Sequence, residues 1–294
     1  MYEILSGLAS KVSDPFARKV AAISMRTAGV FCSARPLPDL GRRVMGLWFP
    51  SPLGLAAGFD KNGDLFSALP GLGFGFGEIG SVTPLPEYKR SPGLEATAYY
   101  LSRIRAPRPI PLGVSISMNR KTPFSKIPQD YLDGLAGVWE CADYITLNLG
   151  VRAGPDLHAT EHRALLHKVF NVIKIEQSRL ASASGYCVPV IVKIDQTRGD
   201  TENLIRCVRD YGFNGLVLSG AGNIQGLALL ERVSLALQDA MPIISVGGIS
   251  TAQDARDGLN AGAALLQIYS GLIKSGPLIV QRINQALMTN DFTH

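Results

Sequence analysis

The chain has 294 residues, of which 46% are hydrophobic and 18% charged; that composition supports a large buried core and excludes a disordered chain. Its 31 glycines follow no G-X-Y period, which excludes a collagen-like fibre, and no apolar run reaches the ~18 residues of a membrane-spanning helix. The net charge of +5 suits anionic ligands, but no positive run exceeds Arg42-Arg43 or Lys89-Arg90, so nucleic acid is not an expected partner.

In chain order, residues 1–45 read as an N-terminal helical arm. Met1 to Ser10 carries Ile4, Leu5 and Leu8 at helical spacing. Ser13-Asp14-Pro15 is a helix start, with a capping side chain followed by a proline where no N–H is needed. From Phe16 to Ala28 the apolar positions Phe16, Val20, Ile23 and Ala28 share one side, away from Arg18, Lys19 and Arg26. Gly29 is placed to end this helix, and Pro36 and Pro38 form a linker. Two readings stand: an arm packed on the core, or an amphipathic pair of helices touching a membrane surface.

From Leu53 onward, eight short β-rich runs recur: Leu53–Ala57, Gly77–Val82, Leu112–Ser117, Tyr144–Leu149, Val188–Ile194, Gly215–Ser219, Pro242–Val246 and Ala264–Tyr269. Most are continuously apolar, as in strands buried on both faces of a parallel sheet. Helical patterns separate them at Gln129–Val138, Glu161–Arg179, Thr201–Tyr211, Gln225–Gln238, Ala252–Ala261 and Pro277–Met288. The alternation predicts a (β/α)8 TIM barrel over residues 46–294, preceded by the helical extension. A doubly wound open sheet is the alternative. It calls for G-x-G-x-x-G after the first strand, and Ala56-Ala57-Gly58-Phe59-Asp60-Lys61 is not that.

Cys32, Cys141, Cys187 and Cys207 are widely spaced and read as reduced, mostly buried thiols, not as a disulfide frame or zinc site. His158, His162 and His167 lack an acidic partner at helical spacing and read as a solvated helix face, so no metal is expected. No charged-then-apolar leader opens the chain, which predicts a cytoplasmic location.

Barrel ligands sit at the C-terminal strand ends, and the loops after strands seven and eight commonly hold phosphate. Here those loops read Gly247-Gly248-Ile249-Ser250, with a helix beginning near Thr251, and Tyr269-Ser270-Gly271. They suit an anion held by backbone N–H groups and a helix N-terminus, or else they simply close βα units. Lys61, Asn148 and Lys193 are polar residues at other apolar strand ends. A lysine inside an apolar strand needs an acceptor, either a flavin ring edge or a partner such as Asp60 or Asp195.

Four blocks carry a family likeness: Ser51 to Gly63, Gly73 to Pro84, Val246 to Ser250 and Asn260 to Gly271. They resemble the quinone-dependent, membrane-associated dihydroorotate dehydrogenases, and the arm with Asp14-Pro15 is similar to that class's quinone-docking extension. The resemblance spans nearly the whole chain and implies an FMN-containing barrel. Carried over by position, it implies flavin contacts at Ala57, Gly58, Lys61, Ser81, Asn148, Lys193, Ser219, Gly247, Gly248, Tyr269 and Ser270. Ser115 stands where the family has a flavin-contacting asparagine, and Lys61 is implied to face the substrate as well.

The departures concern the substrate. The family's N-R-x-G-F-N segment after strand two is absent between Pro92 and Pro111. Its strand-four loop, N-x-S-S-P-N-T, becomes Asn148-Leu149-Gly150-Val151-Arg152-Ala153-Gly154. Val151 thus replaces the serine base, and Ala153 and Gly154 replace two gripping residues. After strand six, T-N-T becomes Ser219-Gly220-Ala221, and the following glycine-rich stretch shortens to Gly222–Gly226. Ala96 aligns loosely with an arginine that helps place quinone. Loss of a general base alone costs about 10²–10⁴-fold in rate.

The expectation is an FMN-dependent dehydrogenase acting on a small molecule other than dihydroorotate, in a specialised biosynthetic pathway. A membrane quinone is its expected electron acceptor, at the inner-membrane surface. Lys61, Asn148 and Arg152 are the expected catalytic residues, Arg152 as a carboxylate grip. Asp195, Glu95, Tyr99 and Tyr100 are further polar candidates. The alternatives are an authentic quinone-linked dihydroorotate dehydrogenase and a non-catalytic flavin- or partner-binding homologue.

Overall fold

In the computed structural model, residues 14–31, 40–104, 106–150, 156–197, 200–220, 224–238 and 240–289 are described. Eight parallel strands close into a barrel: β3 (Leu53–Leu55), β4 (Phe76–Val82), β5 (Leu112–Ile116), β6 (Tyr144–Asn148), β7 (Val190–Asp195), β8 (Leu216–Ser219), β9 (Ile243–Val246) and β10 (Leu265–Ile268). The last strand returns to the first, with Leu266↔Leu53, Gln267↔Gly54 and Ile268↔Leu55 in register. All eight predicted strands are present and the doubly wound sheet is excluded. The outer helices are α2 (Leu94–Leu101), α3 (Ile127–Val138), α4 (Arg163–Ser184), α5 (Thr201–Asp210), α6 (Ile224–Leu237), α7 (Ala252–Asn260), α8 (Ser270–Ser275) and α9 (Ile279–Thr289).

Three elements escaped the sequence pattern. Two are the helices α2 and α8. The third is a hairpin, β1 (Arg42–Val44) and β2 (Leu47–Phe49), whose turn residues Met45 and Gly46 both take positive φ, 53° and 80°. That is the backbone of a tight hairpin turn, hidden by a methionine where asparagine or aspartate is usual. The hairpin stoppers the barrel's N-terminal end. Val44 and Phe49 join Phe76, Tyr144, Ile191, Val217, Ile244 and Leu265 in one apolar cluster. Phe49 meets Phe76 edge-on, with ring centroids 5.4 Å apart. The expected arm–barrel boundary at residue 45 therefore falls inside this hairpin.

Helix α1 (Asp14–Phe31) packs on the short 3-10 turns Phe66–Ala68 and Pro70–Leu72. Among the described side chains Ala21 and Met25 are buried; of the expected stripe, Ala28 packs partly buried on the core, Val20 is half-buried and Ile23 is 65% exposed, and the side chain of Phe16 lies outside the description. Small residues explain the difference. A Cβ on Gly29 would stand 2.5 Å from the Cβ of Ala68, so the helix lies too close to the barrel for a bulkier face. This helix is an arm packed on the core. Met1–Ser10, the other expected helix, lies outside the described residues. No described helix is long and apolar enough to cross a membrane.

Inside the barrel, side chains alternate with period two. Gly54 and Gly113 make room for the rings of the lowest tier: an added Cβ would lie 2.3 Å from Phe76 and 2.2 Å from Tyr144, respectively. Gly54→Ala should destabilise the protein by about 1–3 kcal/mol through overpacking. Adding Phe76→Leu should return part of that loss in urea denaturation; strictly additive costs would show that the two do not compete for space.

Candidate active site

The inward positions grow more polar toward the C-terminal strand ends. On β4 they run Phe76, Glu78, Gly80; on β6, Tyr144, Thr146, Asn148; on β7, Ile191, Lys193, Asp195. The register aligns Asn148 with Lys193 and Asp195 with Ser219. These side chains open on a cavity of about 500 Å³ at the barrel mouth, which Ala57, Gly58, Lys61, Ser81, Ser219 and Tyr269 also line. That volume suits a cofactor-sized ligand.

Each wall residue is held by its neighbours. Asn148 Nδ2 donates to Ser81 Oγ at 2.7 Å, and its Oδ1 accepts from Gly150 N at 3.1 Å. Ser115 is fully buried behind this wall, its Oγ 3.1 Å from Ser81 Oγ, and does not line the cavity. Ser219 Oγ donates to Ile194 O at 3.1 Å. Tyr269 packs edge-on against Phe59, centroids 5.5 Å apart. Lys61 Nζ donates to the carbonyl of Lys89, a residue at φ 58°.

Asp60, a candidate partner for the lysines, organises the loop instead. Its buried Oδ1 accepts from the backbone N–H groups of Asn62, Gly63 and Asp64 at 3.3, 2.9 and 3.2 Å, and its Oδ2 from Leu65 at 2.9 Å. Burial raises its pKa, against the pull of those hydrogen bonds. Lys193 makes no hydrogen bond or ion pair with a described side chain. Burial lowers its pKa, and the charges of Glu78 and Asp195 oppose that fall.

The expected phosphate loop is present in part. Gly247 and Gly248 take φ of 117° and 75°, values that favour glycine. The start of α7, however, is already occupied. Thr251 and Asp254 form a capping box, and Asp254 Oδ2 accepts from Ser250 N and Thr251 N, both at 2.8 Å. A carboxylate therefore sits where an anion was expected, which leaves Gly247, Gly248 and the Tyr269–Ser270 turn as the available anion contacts.

Other candidates fall elsewhere. Val151, Arg152, Ala153 and Gly154 lie outside the described residues, as do Ala221 and Cys32. Glu95, Tyr99 and Tyr100 lie on α2 and do not line the mouth cavity. Of the three histidines expected on a solvated face, His167 is exposed and His162 half-buried, but His158 is buried, its Nδ1 3.1 Å from Asp156 Oδ1, and its Nε2 accepts from Asp195 N at 3.1 Å. Among the described cysteines none is fully buried, and Cys187 is exposed.

Two arginines that sequence reading passed over, Arg90 and Arg120, also line the mouth. Glu87 holds both. Its Oε2 accepts from Arg90 Nη1 at 2.6 Å, and its Oε1 accepts from Arg120 N at 2.6 Å and Asn119 Nδ2 at 3.1 Å. No periodic signal marks these residues, because β4 and β5 end before them. A second cavity, about 670 Å³, runs from Lys19 on α1 past Tyr88 and Glu87 and shares Lys61, Arg90 and Tyr269 with the mouth.

Burial works against the Glu87 carboxylate, yet its hydrogen bonds from Arg90, Arg120 and Asn119 hold its pKa below the ordinary value. A depressed carboxyl stabilises the fold above its unfolded pKa of about 4.3 and loses that contribution as pH falls through the lower folded value. Glu87→Gln should therefore cost about 1–2 kcal/mol at neutral pH. Denaturant titrations should show the cost shrinking below about pH 4; a pH-independent cost would sink this account.

A family model described as dihydroorotate dehydrogenase matches residues 39–92 and 212–290. The protein named dihydroorotate dehydrogenase (quinone) of Nitrosospira multiformis is 33% identical over 336 aligned positions, covering 98% of this chain and 96% of its own. Its namesake from Alkalilimnicola ehrlichii is 34% identical over 302 positions, with 88% of each chain covered. In fold, the chain is similar to the crystal structure of DHODH in complex with ferulenol from Eimeria tenella, with a TM-score of 0.85 at 23% identity over 99% of this chain and 95% of that one. The chain belongs to the dihydroorotate dehydrogenase family of FMN-dependent oxidoreductases.

Proposed function

We propose that this protein is an FMN-dependent dehydrogenase whose substrate is a small molecule other than dihydroorotate. The observation that carries the flavin is Lys193: an ammonium enclosed by the barrel wall, opening on a cavity of cofactor size, with no acceptor among the described side chains. Lys193 would hold the polar edge of the ring. Ser81, Asn148 and Ser219 line the same wall, and Gly247, Gly248, Tyr269 and Ser270 would hold the phosphate. FMN supplies the two-electron acceptor of the reaction.

The substrate reading rests on the loops. Val151 replaces the family's serine base, and the gripping residues are absent. The carboxylate at the mouth is Asp195; a Cβ on Gly150, next to Val151, would lie 3.9 Å from the Asp195 Cβ. Asp195 is thus near Gly150, the described residue before Val151, and would accept a proton leaving the substrate in place of the lost base. Thr197 steadies it, N and Oγ1 both donating to Asp195 Oδ1, at 3.1 and 2.7 Å. Lys61, Arg90 and Arg120 give the mouth a positive rim suited to a carboxylate or carbonyl oxygen. Arg152 belongs to the same proposal as a substrate grip.

The second cavity, which Lys19 of α1 borders, supports a membrane quinone as the electron acceptor, with the protein peripheral to the inner membrane. A second reading, a working quinone-linked dihydroorotate dehydrogenase, is favoured by the names of the relatives.

One anaerobic experiment separates the two. Purified protein should take up FMN, and saturating dihydroorotate should leave the oxidised flavin spectrum unchanged. Rapid bleaching would establish the second reading, and a protein that takes up no FMN would overturn both. With a substrate found by screening metabolites for bleaching, Lys61→Ala should retain FMN and slow flavin reduction at least ~10²-fold, the scale of one lost electrostatic contact. A near-normal rate would remove Lys61 from the mechanism.

A further inference from the structure

The chain that leaves β6 reaches back to the end of β7 through one side chain. Along these two strands runs a parallel ladder, and its last bond goes from Leu149 N to Lys193 O at 3.3 Å. The next rung of such a ladder would run from Asp195 N to the carbonyl of residue 149. Here Asp195 N donates instead to Nε2 of His158, at 3.1 Å, so an imidazole stands in for the missing strand carbonyl. His158 is buried, and the turn that carries it is closed by Ala159 N donating to Asp156 O at 3.1 Å.

A backbone amide can only donate. Nε2 therefore presents its lone pair to Asp195, and the proton of the neutral ring sits on Nδ1. There it meets Asp156 Oδ1 at 3.1 Å, and the same oxygen accepts from His158 N at 3.0 Å. The Asp156 carboxylate thus selects the Nδ1–H tautomer and turns the ring's lone pair toward β7. Thr197 fixes the other end of Asp195, its N and Oγ1 donating to Oδ1 at 3.1 and 2.7 Å. Main chain and carboxylate are held by separate partners, one from the chain after β6 and one from the residues after β7. Among the described residues, Asp195 is the only carboxylate that lines the mouth cavity.

We propose that His158 is a positioning residue: as the neutral Nδ1–H tautomer set by Asp156, it holds the main chain of Asp195 so that the carboxylate stays at the mouth. This rests on the reading above of Asp195 as the group that accepts the substrate's proton. An acceptor serves only where the proton leaves, and a misplacement of about 1 Å costs on the order of 10²-fold in rate. A strand end beyond its last rung lacks the bond that pins its middle, and the histidine supplies it. The chain after β6 provides the pin, and β7 provides the carboxylate.

The first arm of the test is nuclear magnetic resonance of the nitrogen-isotope-labelled protein, and it needs neither substrate nor variant. A scalar coupling across the N–H···N bond should join the Asp195 amide to His158 Nε2, with the ring proton on Nδ1. Absence of that coupling, or a proton on Nε2, overturns the proposal. The second arm measures the flavin reduction potential of the FMN-loaded protein with reference dyes. Asp195→Asn removes a negative charge from the cavity and should raise the potential. His158→Leu removes no charge but frees the carboxylate, so it should raise the potential as well. Once Asp195 is asparagine, that second rise should fall below about half its size, as for two residues acting as one unit. His158→Gln offers an oxygen close to the place of Nε2 and should restore the wild-type value. Equal shifts from His158→Leu in both backgrounds, or no shift in either, overturn the proposal, because lost packing does not depend on the charge of Asp195. Failure to take up FMN, or an Asp195→Asn potential equal to that of the wild type, would sink the reading of Asp195 at the reacting centre, while the first arm still decides on His158.

Discussion

Closure of the barrel is the constraint on which the site depends. Leu266 N donates to Pro52 O at 2.8 Å and Ala56 N to Ile268 O at 3.1 Å, so the last strand is bonded to the first and the sheet has no edge. Once it is closed, the period of two along each strand and the register between strands determine which side chains share each tier. The lowest tier is apolar and stoppered by the hairpin. The next carries Glu78, Thr146 and Gln267. The uppermost is the cavity. A one-residue slip of β7 would send Lys193 into the outer layer and bring Val192 and Ile194 inward, and the site would vanish without any change of sequence.

Much of this was legible from residue order. Eight apolar runs alternating with helical patterns gave the barrel, since buried parallel strands and amphipathic helices leave different periods. Lys61, Asn148 and Lys193 stood out as polar residues at apolar strand ends, and all three line the mouth. Glu78 and Gln267 carry the same signal in weaker form: Phe-x-Glu-x-Gly and Leu-x-Gln alternate at the period of a strand that faces a barrel interior. Their signal is hidden because most of the runs read as continuously apolar.

What was not legible has distinct physical causes. Arg90 and Arg120 reach the mouth from loops, where no period relates sequence position to direction, and only the closing of Glu87 on both brings them together. On α1, Ile23 of the expected stripe faces outward, because small residues such as Gly29 allow the close approach at Ala68 and a large apolar residue is the wrong signal for that kind of packing. The start of α7 looked free for an anion, yet the Asp three residues beyond Thr251 supplies its own. Thr-x-x-Asp is readable as a capping signature, so the information was present and was outweighed by the glycines before it.

The two halves of the proposed chemistry are built from different material, and this bears on how the family can change substrate. Groups that would serve the flavin sit on strands or immediately beyond them, pinned by ladder hydrogen bonds, tier packing and the bonds among Asn148, Ser81 and Ser115. Altering one disturbs its tier neighbours. Groups that would choose the substrate come from loops after β6 and β8, whose replacement leaves the ladder intact. On the proposed function, a loop after β6 can lose a base and two contacts while Lys193 and Asn148 stay in register. A new proton acceptor need not come from the same loop, since Asp195 approaches Gly150 from the neighbouring strand end. On the proposed function, the closed barrel carries electron chemistry and specificity on separable structures, and the departures that the function rests on lie in loops that the ladder does not hold.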